Sequence, residues 1–242
     1  MFSLLASGVA SASTVINVAV AANSPPMLFK STAGKIEGAD MDIFSGFCKK
    51  PECTMNIKEY TFEGMLGAVA SGQADVAFSG ISITPKREKV MAFSAPYYDN
   101  SWYLVSTADK NIKLKDLSEL KDTKYKIGYP RGMAYTDLIK TDLEPQGYYS
   151  VKRAELRPSY NEVLTDLKNG NINLAFIEKP VLNDYLKKGY KLVESYEFKG
   201  KDTLGFAFTN DAKGKELRDK FNKYLTQLGP KEINKIVDER MK

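Results

Sequence analysis

DVAFSGISITPKREKVMAFSAPYY, residues 75–98, is the stretch on which the fold of this chain turns. Val76, Ala77 and Phe78 make an apolar strand that runs into Ser79-Gly80, a turn that frees backbone N–H and hydroxyl groups. Ser82 and Thr84 follow, and Arg87 comes seven residues after the glycine. A strand end that brings small hydroxyl residues and one arginine into a shared crevice can grip a carboxylate. The guanidinium is a planar fork of donors matched to two oxygens, and freed backbone N–H groups add to it. Spacing alone fits a surface turn with a solvated arginine equally well.

Working outward, residues 15–21 alternate as a strand, and a turn region with Pro25, Pro26 and Gly34 follows. A helix is expected over 40–49, a strand over 54–60, and a helix over 63–71 that Gly72 stops. Strand, crossover helix, strand is the grammar of a parallel sheet. The grammar restarts with strands at 125–129, 151–156 and 173–177 and helices at 134–140 and 161–168. Two helical segments, 215–228 and 231–241, close the chain around Gly229-Pro230. There is also an internal echo: SGQADVAF at 71–78 has a counterpart in NGNINLAF at 169–176. Two similar α/β units suggest two lobes, although any two helix–strand junctions share some of this likeness. Ligands of open α/β sheets bind beyond the C-terminal strand ends, which here are Ser79-Gly80 and Ile177-Glu178. One end offers hydroxyls and an arginine, the other a carboxylate, and a zwitterion needs that pair. Glu178 as an exposed surface acid is the plain alternative.

Composition narrows the function. The 242 residues are 43% hydrophobic and 27% charged, as in soluble globular proteins, and long enough for a large core. The net charge of +5 is spread over lysine-rich segments such as 110–126, with no basic run interleaved with aromatics, so no nucleic-acid partner is expected. The chain has no histidine, which removes histidine triads, histidine metal sites and imidazole acid–base catalysis. No metal or cofactor is expected. No apolar stretch of about 20 residues could span a membrane. The N-terminus is apolar and small and reaches Ala10-Ser11-Ala12, which fits the end of a signal peptide cleaved before Ser13, although a positively charged start is missing. Cys48 and Cys53, the only cysteines, flank Pro51 in a spacing suited to a small disulfide loop, which requires an oxidising compartment.

The block SGISITPKREKVMAFSAPYY resembles the signature of the periplasmic amino-acid-binding proteins that feed ABC importers, the family 3 solute-binding proteins of polar amino acid type. The resemblance extends over the mature chain. Pro25-Pro26 followed by GKIEGADMDIFSGFC resembles the family's opening block, in which a glycine and two aspartates precede the first helix, and relatives of the histidine and lysine/arginine type share the cystine loop after it. The resemblance implies an α/β fold of two lobes, each a mostly parallel sheet flanked by helices, joined by a two-strand hinge near 99–103 and 203–206. Residues 1–12 would be the signal-peptide remnant, 13–102 and 205–242 lobe 1, and 103–204 lobe 2.

Residue by residue, the resemblance puts Phe62 over the bound amino acid's side chain. Ser79, Gly80 and Ser82 stand at the ammonium and carboxylate, and Arg87 on the carboxylate. IGYPRGMAY resembles the loop-to-helix segment whose backbone N–H groups, here at Met133 and Ala134, close on that carboxylate. Glu178 falls on the acid that holds the ammonium. Relatives commonly carry an aromatic where Ser24 stands, Thr or Ser at Ala134, and Asp at Glu178.

The function implied is a monomeric periplasmic receptor that binds a free L-amino acid between its lobes, closes by a hinge and delivers it to a membrane permease. An enzyme on the same scaffold is the alternative, since cyclohexadienyl dehydratases are similar. Their proton-donating glutamate would fall near Val181, which cannot donate a proton, and their lobe 2 asparagine near Tyr129; both departures argue against catalysis, and Glu178 would be a general acid only if burial raised its pKa. A sensor or adhesin-like module with a vestigial pocket is a third reading, against which the intact Ser79–Arg87 block argues. No acid stands at the 21–24 wall, which weakens arginine or lysine as ligand.

Overall fold

The computed structural model describes residues 14–49 and 53–241. The expected processing site at Ala10-Ser11-Ala12 and the start at Ser13 lie outside the described residues. Strand β1 (Thr14–Val20) is exposed at its start and continuously buried over Val18–Val20, as a strand covered on both faces must be. It lies parallel to and between β5 (Cys53–Glu59) and β6 (Val76–Ser82). The crossover helices are α1 (Ala39–Phe47) and α2 (Phe62–Ala70). Thr61 starts α2 by accepting the Gly64 N–H on its hydroxyl at 3.1 Å, which satisfies a first-turn donor. Cys48 and Cys53 form the expected disulfide, tying the end of α1 to the start of β5. Between β1 and α1, where only a turn region was expected, β2 (Asn23–Ser24), β3 (Leu28–Lys30) and β4 (Ile36–Glu37) form a small antiparallel sheet.

The same pattern recurs further along. Strand β9 (Ile127–Pro130) is parallel to both β10 (Ala154–Arg157) and β11 (Leu174–Glu178), with α5 (Tyr160–Asn169) as crossover. The helix expected over 134–140 is α-helical only as α4 (Tyr135–Leu138) and then widens into a π turn, Ile139–Leu143. The strand expected from residue 151 starts three residues later, because Ser150 accepts the Lys152 N–H and closes a 3-10 turn over Val151–Arg153. Helix α6 (Lys179–Lys187) was not expected, although Pro180 in its first turn and the buried Val181, Leu182 and Tyr185 carry its signature.

Two long strands join the halves. Strand β8 (Tyr98–Thr107) runs antiparallel to β11 and to β12 (Leu192–Thr209), and β12 continues antiparallel to β6 and to the short β7 (Met91–Phe93). One mixed sheet results, in the order β10-β9-β11-β8-β12-β6-β1-β5 with β7 on β12. It is parallel towards both ends and antiparallel where β8 and β12 cross between the halves. The β8–β12 register shifts between Phe198 and Asp202, a bulge at the crossing where added twist is needed. Helix α7 (Ala212–Arg240) breaks at Gly229-Pro230, as expected, and packs against the first half. Two apolar clusters form the core, one within the first half and one that runs from the second half onto α2 and the adjoining face of β6. Phe44, Phe78, Phe206 and Phe221 interlock in one, with the Phe206–Phe221 centroids 4.6 Å apart, and Tyr129, Tyr135 and Phe176 centre the other.

Candidate functional site

The kink expected at Ser79-Gly80 lies inside β6, which continues to Ser82 in register with Leu204. Gly80 has φ +60°, and a Cβ there would sit 3.2 Å from the Met27 side chain, so glycine alone fits. The kink turns the Gly80 N–H towards Asp40, which accepts it at 2.7 Å. The Ser79 hydroxyl donates to the Ala21 carbonyl at 2.5 Å and ties β6 to the end of β1. Ser79 therefore spends its proton on the framework. Beyond β6, Thr84 caps α3 (Pro85–Glu88) by accepting the Arg87 N–H at 3.3 Å, and Pro85 pre-sets the first helical residue. Cap and proline together aim Arg87 inward.

The Arg87 side chain is only 8% exposed. Nη1 donates to the Ser82 carbonyl at 2.7 Å and Nη2 to the Gly132 carbonyl at 2.9 Å, while the guanidinium lies 5.6 Å from the Phe62 ring centroid. One side chain thus bridges the end of β6 and the loop after β9. Burial pulls its pKa below the ordinary arginine value, and Asp202, Glu178 and Asp137 oppose that pull. Gly132 has φ +85°, and a Cβ there would approach Glu63 Cβ to 3.1 Å and its backbone N and Cα to 3.2 Å. Met133 and Ala134 follow and are buried. The Met133 N–H donates to the Pro130 carbonyl at 3.4 Å, and among the described residues no acceptor meets the Ala134 N–H.

Glu178 ends β11 at 1% exposure, and among the described residues its Oε2 has no hydrogen-bond partner. It is not the exposed surface acid of the alternative reading. Burial pushes its carboxyl well above the ordinary glutamate range; Asp202 and Asp40 push it further and Arg87 opposes them. The hydroxyls of Tyr135 and Tyr160 pair at 3.0 Å in the field of the same carboxylate, and both are raised chiefly by burial. Trp102 sets its edge on Tyr135, with centroids 5.3 Å apart. Ser24 is buried at 1% exposure at the end of β2, which pairs with β3.

Two buried acids escape sequence reasoning. Asp40, at the start of α1, accepts from Tyr97 Oη at 2.5 Å as well as from Gly80, and burial raises its carboxyl to about 7. Asp202, in β12, accepts from Ser82, Asn100 and Trp102, and burial raises it to about 6. Asp40 stands in the quoted opening block, so its position at least was marked. Asp202 follows Lys199-Gly200-Lys201 and carries no comparable sign.

The model of the bacterial extracellular solute-binding proteins, family 3, matches residues 16–240. The chain is 31% identical over 183 residues to ABC transporter arginine-binding protein 1 of Escherichia coli (strain K12), covering 76% of this chain and 71% of that protein. It is 28% identical over 226 residues to a probable histidine-binding protein of Campylobacter jejuni, covering 92% and 82%. Among solved structures, an ancestral arginine-binding protein bound to arginine superposes with a TM-score of 0.81 at 26% identity, over 93% of this chain and 97% of that one. The chain belongs to the family 3 solute-binding proteins. These relatives are named for binding rather than for catalysis, and none of them supports the dehydratase alternative.

Proposed function

We propose that this family member is a monomeric periplasmic receptor that closes on one free L-amino acid between its halves and passes it to an ABC-type membrane permease. Residues 13–102 and 205–242 form one lobe and 103–204 the other, with the β8–β12 crossing as hinge. The observation that carries this reading is the opposition of Arg87 and Glu178. Each is buried; Glu178 ends β11, Arg87 reaches from α3 to the carbonyl that ends β6, and among the described residues one Glu178 carboxylate oxygen has no partner. A buried acid in that state calls for a cation, and a buried guanidinium with donors to spare calls for an anion. An α-amino acid brings both. Its carboxylate lies on Arg87 and the Ala134 N–H, and on the Met133 N–H where that donor turns from the Pro130 carbonyl it meets at 3.4 Å. Its ammonium lies on Glu178, Gly80 and Ser82, and its side chain between Phe62 and Ser24, with Ser79 holding the frame.

L-Arginine is the first candidate ligand. Several relatives are named for arginine, and among the described residues the buried acids Glu178, Asp202 and Asp40 outnumber the buried cation Arg87. This weighs against the expectation drawn from the missing acid at the 21–24 wall. Protein unfolded and refolded to strip co-purified ligand should melt at a higher temperature with L-arginine, or with another of the twenty amino acids, in a thermal-shift screen. A flat response to all twenty at millimolar concentration would refute the receptor reading.

A further inference from the structure

Three strands meet on the carboxylate of Asp202. Its Oδ2 accepts from Asn100 Nδ2 and Trp102 Nε1 of β8, both at 2.7 Å, and from Ser82 Oγ of β6 at 3.1 Å. Among the described residues no hydrogen bond reaches Oδ1. An ionised carboxylate can only accept, so the one proton of the Ser82 hydroxyl is committed to Asp202. The Ser82 oxygen is left with acceptor capacity alone on its remaining side. Ser82 also supplies the carbonyl that holds Arg87, so this acceptor lies beside the guanidinium.

Charge points the same way. Among the charged neighbours of Glu178, Asp202 and Asp40 disfavour its ionised form and only Arg87 favours it. Arg87 in turn feels Asp202 more strongly than Glu178. Two carboxylates therefore share the field of one guanidinium, and the Oε2 of the buried Glu178, unpartnered among the described residues, marks where positive charge is wanting. A carboxylate ligand alone would deepen that deficit, because it would take up the charge of Arg87.

We propose that Asp202 is a second ammonium-directing carboxylate: it holds Ser82 as an acceptor towards the ligand's α-ammonium and adds its own charge to that of Glu178, so that the site selects a primary amine. The inference rests on the amino-acid reading above and assigns to the strand crossing a share of ligand recognition. Because the same carboxylate ties β6, β8 and β12 together, the ligand's cationic end is registered at the hinge itself.

Calorimetry on native protein, Asp202→Asn and Ser82→Ala tests it, with L-arginine and with 5-guanidinopentanoic acid, which is arginine without its α-amino group. If the screen selects another amino acid, that one and its deaminated counterpart serve instead. Asp202→Asn keeps an acceptor for Asn100 and Trp102 but loses the charge. It should weaken L-arginine binding by about tenfold or more while changing binding of the deaminated acid by less than about threefold. Ser82→Ala, which leaves the Asn100 and Trp102 bonds alone, should show the same selectivity and keeps the test open if the Asp202 variant does not fold. Combined, the two substitutions should cost less than the product of their separate effects. Equal loss for both ligands would reduce Asp202 to a structural tie, and no loss for either would remove it from the site. Failure of native protein to bind any amino acid would instead overturn the receptor reading itself.

Discussion

Replacing Arg87 by lysine keeps one positive charge and removes the fork. A guanidinium has five N–H donors, and here the Ser82 and Gly132 carbonyls take two of them, which leaves three for a ligand carboxylate. An ammonium has three. If it keeps both carbonyl bonds, one donor remains, and a two-point grip on the carboxylate becomes impossible. The loss is at least one hydrogen bond to a charged group, about 1.5–3 kcal/mol, or roughly a 10- to 150-fold weaker Kd. The contact over the Phe62 ring goes too, which adds to the loss. Calorimetric titration of Arg87→Lys with the amino acid selected by screening should show this drop, with the unliganded melting temperature as control for folding. An unchanged Kd in a folded variant would refute the assignment of Arg87 to the carboxylate.

Three further outcomes follow from the geometry. Glu178→Gln leaves the ligand ammonium facing a neutral amide in a desolvated site and should weaken amino-acid binding by at least about tenfold; equal affinity would exclude the ammonium role. Gly132→Ala puts a methyl group against the Glu63 backbone at 3.2 Å, on a residue with φ +85°, so the halves cannot approach as closely. Stopped-flow release should be faster than in native protein, and an unaltered rate would show that Gly132 does not set closure. The raised carboxyls of Asp40, about 7, and Asp202, about 6, exceed the ordinary aspartate value of 3.8, so between these values the native state binds more protons than the unfolded chain. Stability then falls as pH rises through that interval and levels off above it, so the urea midpoint should be higher at pH 5 than at pH 8 and the slope smaller in Asp40→Asn. A midpoint that rises from pH 5 to pH 8 would contradict this.

Local chemistry made part of the site legible from sequence. The hydroxyls and Arg87 after β6 were marked by residue type, though the helix start at Thr84-Pro85 went unread, and strand–helix–strand spacing sets Glu178 and the end of β6 at equivalent places. What stayed hidden depends on partners far apart in the chain. Asp202 is buried because Ser82, Asn100 and Trp102 converge on it from 120, 102 and 100 residues away. Its immediate neighbours Lys199, Gly200 and Lys201 read as a solvated turn. Ser79 was expected at the ligand on its residue type, but the end of β1 lies within reach of its hydroxyl and takes the proton. The small sheet of β2, β3 and β4 escaped notice because strands of two or three residues are too short for an alternation to register.

The most direct measurement compares the selected amino acid with two analogues in native protein: its methyl ester, which keeps the ammonium and loses the carboxylate charge, and its deaminated acid, which does the reverse. If Arg87 and Glu178 grip the two ends of a zwitterion, each analogue should bind at least about tenfold more weakly than the amino acid, since each leaves one buried charge unpaired. Either analogue binding as tightly as the parent amino acid would contradict that grip.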